Sequence, residues 1–405
     1  MQITDLETEL KMHPLLRLAF RPLFLFGAAF SALAILIWGL ALFGKIHIEP
    51  VGNILFWHSH EMIFGFACAI VIGFLLTAMQ NWTGLRAPHG KQLFFLITLW
   101  LLSRALMLWG AALPLWLVIF IDIVFLPSAA VLLAIPILAA KQVRNLFFIP
   151  ILLLLTACNA ISWLGLYLHD YALQQHGLYN AVLLITLLMS ILGGRVLPMF
   201  TANGTLTKKV DPIVWLDRLA LGALWLIFIQ QFLKLENYLP HPVIGLLYAV
   251  AAALLSVRCA RWKLWITFKV PLLWSLHLAY WFIPVGLALF AMHYSGISLN
   301  GNAILKSTAM HALTAGAMGS MILAMMARVS LGHTGRPLQV SPLMVPAFML
   351  VLSAGISRSL LLILFPELTQ TILALSIIFW VSAYSLFCFC YSRILTTDRA
   401  DGRPG

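Results

Sequence analysis

Charge is what this 405-residue sequence has least of: Asp, Glu, Lys and Arg together make up 9% of it. Soluble globular domains carry about a quarter charged residues, so a water-soluble domain is excluded. No polar stretch is long enough to fold alone; the longest, from Thr201 to Asp211, cannot bury a core. The chain therefore reads as a single transmembrane domain over residues 20–392, flanked by a cytoplasmic segment (1–19) and tail (393–405). Cysteine is scarce as well. Cys68, Cys158 and Cys259 are scattered through apolar runs, and Cys388 and Cys390 sit near the end of the last one. That is no disulfide framework; buried thiols are expected, with a soft-metal site at Cys388 and Cys390 as the alternative. A signal peptide is missing too. Asp5, Glu7, Glu9 and Lys11 precede any apolar run, without a basic start or a small-residue cleavage site, so the first run is expected to be retained. Two matching halves are also absent, which argues against a transporter of the major facilitator type.

What is abundant is apolar sequence, 62% of the chain. A helix needs roughly 20 apolar residues to cross a bilayer, and runs of that length recur from Phe20 to Tyr391. Lipid satisfies no open backbone groups, and the runs are continuous instead of alternating, so helices are expected and not a barrel. The spacing predicts an all-α polytopic bundle of about twelve transmembrane helices. Twenty of the 25 Lys and Arg residues fall on one side of that map, against Lys45, Lys234 and Lys306 on the other. Such asymmetry marks the rich side as cytoplasmic and puts both termini there. The net charge of +12 thus reflects topology, and no nucleic-acid partner is expected.

Ionisable residues inside the spans point to pairing or function. Arg104 and Asp122 lie in adjacent spans joined by a tight turn, and they are predicted to pair. Most of the twelve histidines sit in loops or at span ends, leaving His58, His60, His277 and His311. His58 and His60 open the second span in Trp57-His58-Ser59-His60-Glu61. Residues two apart on a helix point about 200° apart, so the two share one metal only if the helix starts after His58. Glu61 can favour the helix N-terminus by its charge, or orient a ligating imidazole. His277 and His311 lie inside spans nine and ten. Each can serve a helix–helix hydrogen bond or ligate haem or copper. A bis-histidine haem between His60 and His311 and a mixed haem-copper centre are both compatible with the estimated depths. Ala312, Gly316, Ser320 and Ala324 form a strip of small residues that permits close helix contact or the approach of a flat cofactor. At the cytoplasmic edge, Pro198 is expected to help end span six. Arg195, Arg328, His333 and Arg336 can hold an anion such as a haem propionate or lipid headgroup, or simply set topology.

Several of these segments resemble the NnrS family: Ala19-Phe20-Arg21-Pro22-Leu23-Phe24-Leu25, His58 to Gly65, Gly193 to Thr201, the surroundings of His277 and Tyr280, and His311 to Pro337. Leu23 stands where an aromatic is expected. The resemblance implies a bacterial inner-membrane protein that contains haem, of b type in this reading, and copper. It further implies a role in nitric oxide metabolism and relief of nitrosative stress. His58, His60, His277 and His311 match motif positions and become the metal-site candidates. His60, His277 and His311, with Arg195, Arg328 and Arg336, are the candidate cofactor contacts. The expected partners are the lipid bilayer and nitric oxide or metal-nitrosyl species. Competing readings are a bis-histidine electron carrier serving a quinone or redox partner, and a metal or haem transporter. No catalytic acid or base is assigned.

Overall fold

The structure is a computed structural model that describes residues 11–403. Twelve long helices form among the described residues. They are α1 (Phe20–Leu42), α2 (Ile54–Thr83), α3 (Lys91–Trp109), α4 (Leu115–Ala139), α5 (Phe148–Tyr167) and α6 (Tyr171–Thr205). After these come α7 (Val214–Phe232), α8 (His241–Ala260), α9 (Pro271–Tyr294), α10 (Lys306–His333), α11 (Met344–Leu364) and α12 (Thr369–Thr396). Eleven of them are long and apolar enough to cross a membrane. The exception is α7, whose 19 residues include Asp217, Arg218, Gln230 and Gln231. Both glutamines are buried; Asp217 binds Arg258 and Gln231 donates to Glu236, while the Gln230 amide makes no hydrogen bond among the described residues.

The helix boundaries differ from expectation in two places that matter below. The second begins at Ile54, because the Asn53 side chain accepts from the amides of Leu55 and Phe56 and caps it. The sixth does not stop at Pro198 but runs through it to Thr205. A proline inside a membrane helix is tolerated where neighbouring helices and side chains cover the freed backbone groups. Between α9 and α10, Ser298–Leu299 and Asn302–Ala303 pair as a small hairpin. Its turn is Asn300-Gly301, both with positive φ, a readable hairpin signal.

The chain divides into two compact units. One comprises Met1–Ala181, Met326–Gln339 and Tyr384–Gly405; the other comprises Val182–Met325 and Val340–Ala383. In the first, α5 and α6 cross with their backbones nearly touching: a Cβ on Gly177 would collide with the Cys158 carbonyl and the Ser162 amide. In the second, the small-residue strip of α10 is a contact surface at its centre. Phe282 of α9 fills the place of a Gly316 side chain, and Gly355 of α11 lies against the Gly316 backbone. Close approach of this kind maximises the dispersion contacts that hold membrane helices together.

Three helices contain π-helical segments: Glu61–Ala67 in α2, Ala312–Gly319 in α10 and Ser357–Leu361 in α11. Such segments break the regular ladder and concentrate at functional sites. Here the first starts at Glu61, directly after His60, the second directly after His311, and the third carries Arg358.

Outside the spans, Glu236 in the link between α7 and α8 accepts from the Tyr294 hydroxyl at 2.7 Å and lies 3.4 Å from the Lys306 ammonium. Burial alone would raise its carboxyl, but Lys306, Tyr294 and Gln231 outweigh burial and hold it below the usual carboxylate range.

Candidate functional site

In the first unit, a buried charge cluster surrounds the start of the α2 π segment. His60 and Glu61 are both 0% exposed. Glu61 Oε1 binds the Arg104 guanidinium and lies 3.1 Å from His60 Nδ1. Arg104 also binds Asp122 Oδ1, so the predicted partnership forms. Asp122 Oδ2 accepts from Asn159 Nδ2 at 2.8 Å and Trp163 Nε1 at 2.9 Å. His60 Nε2 faces Asn159 Oδ1 at 2.9 Å and Asp122 Oδ2 at 3.1 Å. The Ser103 hydroxyl completes the set, donating to Asp122 at 2.7 Å and accepting from Arg104. Two carboxylates thus meet one guanidinium and an imidazole whose two nitrogens both face oxygen acceptors. A ring that donates on both sides satisfies that geometry. Paired in this way, charges withdrawn from water are tolerated.

The two histidines of α2 do not share a site. Both lie within the helix, and they diverge as the 200° spacing requires. His58 stacks on Trp38 of α1, with ring centres 4.2 Å apart, while His60 enters the charge cluster. Above the start of α2, a surface cleft of about 960 Å³ is lined by His47, Glu49, Asn53 and His169, among others.

In the second unit, two of the sequence motifs converge, Gly193 to Thr201 and the surroundings of His277 and Tyr280. The Thr201 hydroxyl and His277 Nε2 are 2.8 Å apart. His277 is buried, and its Nδ1 has no hydrogen-bond partner among the described residues. Trp262 stands edge-on to His277, with centroids 6.5 Å apart, and to Tyr280, at 4.8 Å. Arg258 donates to the Tyr280 oxygen and the Ser190 carbonyl, both at 2.9 Å, and to Asp217 at 2.6 Å. The Gly193-Gly194 pair makes this arrangement fit: Tyr280 lies against Gly193, and the Arg258 guanidinium occupies the space of a Gly194 side chain. Arg258 is one of the twenty basic residues on the rich side, and nothing in its local sequence shows that it folds back onto α6.

His311 lies elsewhere in the same unit. Its Nδ1 faces the Ser307 carbonyl at 2.7 Å, and its Nε2 faces Arg358 at 2.8 Å. The carbonyl accepts a hydrogen bond from Nδ1–H, so Nε2 carries the lone pair and accepts from the guanidinium. Gly286 of α9 packs against Ala312 and Leu313 of α10. His277 is nine residues along α9 from that level, roughly 14 Å at 1.5 Å rise per residue. His277 and His311 therefore stand at different depths and serve separate sites.

The arginine candidates are divided between the two units. Arg195 is on α6 in the second unit. Arg328 is buried near the end of α10 in the first unit. Arg336, in the following turn, reaches Thr334 and Thr397.

A family model described as NnrS protein matches residues 14–399, nearly the whole chain. A search of curated proteins gives no match.

Proposed function

The chain belongs to the NnrS family, and on that premise we propose that it is a bacterial inner-membrane protein that handles nitric oxide at a histidine-ligated haem or copper centre. Membership supports a role linked to the nitric oxide response. The observation that carries the finer reading is the unpartnered Nδ1 of His277, a ring nitrogen buried without a hydrogen bond. A buried polar atom left unsatisfied is costly, and a metal ion is one partner that would satisfy an imidazole lone pair. Its other nitrogen is engaged by Thr201, the arrangement that fixes a ligand's tautomer and ring direction. His311 also fits a ligand role, because its Nδ1 is held by a carbonyl and Nε2 offers a lone pair; Arg358 would have to yield. His60 fits less well, since both its nitrogens face oxygens of the charge cluster. His58 remains a candidate on its Trp38 stack.

When bound, haem iron or copper would supply an open position for nitric oxide and a change of oxidation state. The protein's own contribution is positioning. Thr201 orients His277, Trp262 covers it, and Arg258, locked by three partners, places a fixed positive charge at the Tyr280 hydroxyl. Electrons for such a centre would come from a quinone or redox partner in the same membrane. The test is direct analysis of the purified protein. A haem absorption band or stoichiometric copper is expected, and a preparation that folds fully without either would overturn the proposal.

A further inference from the structure

The first and last helices of the first unit meet at Arg21, the second residue of α1, which is 0% exposed. Its Nη1 donates to the carbonyls of Leu395 at 3.1 Å and Thr397 at 2.7 Å. Its Nε and Nη2 are buried and have no hydrogen-bond partner among the described residues. A guanidinium withdrawn from water with two idle donor nitrogens is strongly penalised unless an acceptor completes it.

The surroundings sharpen the requirement. The charged neighbours of Arg21 are Arg17, Arg336 and Arg399, against Asp398. Asp398 is paired with Arg17 at 2.5 Å. A second carboxylate, Asp401, is gripped by Arg399 through bonds of 2.9 and 2.7 Å. Among the described residues, four guanidinium groups thus meet two carboxylates, both already engaged by other arginines. Arg21 also sits in the first turn of α1, where the helix dipole disfavours a cation and favours an anion. Arg336 reaches Thr334 and Thr397 only through contacts of 3.4 Å, so it is not tightly committed.

We propose that Arg21 and Arg336 form an oxyanion site that takes a phosphate group, carried by a phospholipid headgroup or by a soluble phosphate. The planar fork of arginine matches phosphate with two parallel hydrogen bonds. The place fits the chemistry. Arg21 begins the first span, and Thr397 directly follows the last helix, on the side rich in basic residues, where anionic headgroups lie. An anion there would tie the two ends of the chain together. This site shares no residue with the histidine centre, and its fate is independent of that reading.

The experiment measures the unfolding midpoint of the purified full-length protein in two arms. In detergent, inorganic phosphate is titrated against chloride at constant ionic strength. In nanodiscs, pure phosphatidylcholine is compared with a mixture containing phosphatidylglycerol. Wild type should show a saturable rise of the midpoint in at least one arm, and Arg21→Gln and Arg336→Gln should lose it. A rise with phosphate assigns a soluble ligand, and a rise confined to phosphatidylglycerol assigns the headgroup. Arg336 lies in a turn, so its variant keeps the test open if Arg21→Gln fails to fold. No rise in either arm, or an equal rise in wild type and Arg336→Gln, would overturn the proposal.

Discussion

Replacing Arg104 with alanine is expected to destabilise the folded protein by about 3–5 kcal/mol, the usual cost of stranding a buried charge. Among the described residues Arg104 is the only guanidinium in the cluster, and it binds Glu61 and Asp122 together. Without it, two carboxylates stay buried with His60 as their sole charged partner. Packing suffers as well: the Arg104 side chain fills the space beside Gly65, where a Cβ would collide with it. Removing the charges together should behave differently. The triple change Arg104→Met, Glu61→Gln and Asp122→Asn removes both carboxylates and the guanidinium and lets His60 turn neutral, so no bare charge remains, and it should recover much of the loss. Unfolding by denaturing detergent, titrated into a mild one, measures both variants. A single variant as stable as wild type would show that the cluster is not the lock described above.

The second large effect separates two histidines that look alike in the sequence. His277→Ala is expected to fold and yet lose bound haem or copper. Its side chain makes one hydrogen bond, to Thr201, worth about 1 kcal/mol in a membrane interior. His60→Ala is expected to do the reverse. It removes the imidazole that faces Glu61, Asn159 and Asp122, so yield and stability should fall while each folded molecule keeps its cofactor. Metal and haem content per folded molecule, read beside the unfolding midpoint, distinguishes the two outcomes. If His277→Ala keeps full occupancy, ligation at that position is wrong.

The pairing of Arg104 with Asp122 was legible because two opposite charges inside adjacent spans have few alternatives to each other. Glu61 was harder to place. With the second span expected to open near Trp57, its charge looked like a complement to the helix dipole. The Asn53 cap starts the helix a turn earlier, which puts Glu61 mid-helix and aims it at Arg104. Neutral residues hid for another reason. Asn159 and Trp163 sit in an apolar run of α5 with no signature until α4 is packed against it. Arg258 and Arg21 carried a real topological signal, and that signal concealed their buried roles. Whether a basic residue at a span end points to water or folds back depends on distant partners: Gly194 and Asp217 for one, Leu395 and Thr397 for the other. The π segments beside His60 and His311 have no local sequence signature at all.

Chemically reduced, purified protein mixed with nitric oxide under anaerobic conditions puts the central claim to its most direct trial. The account predicts an optical or paramagnetic signal that changes on addition, and that is missing from His277→Ala. A wild-type spectrum indifferent to nitric oxide, from protein carrying its full complement of metal, would contradict it.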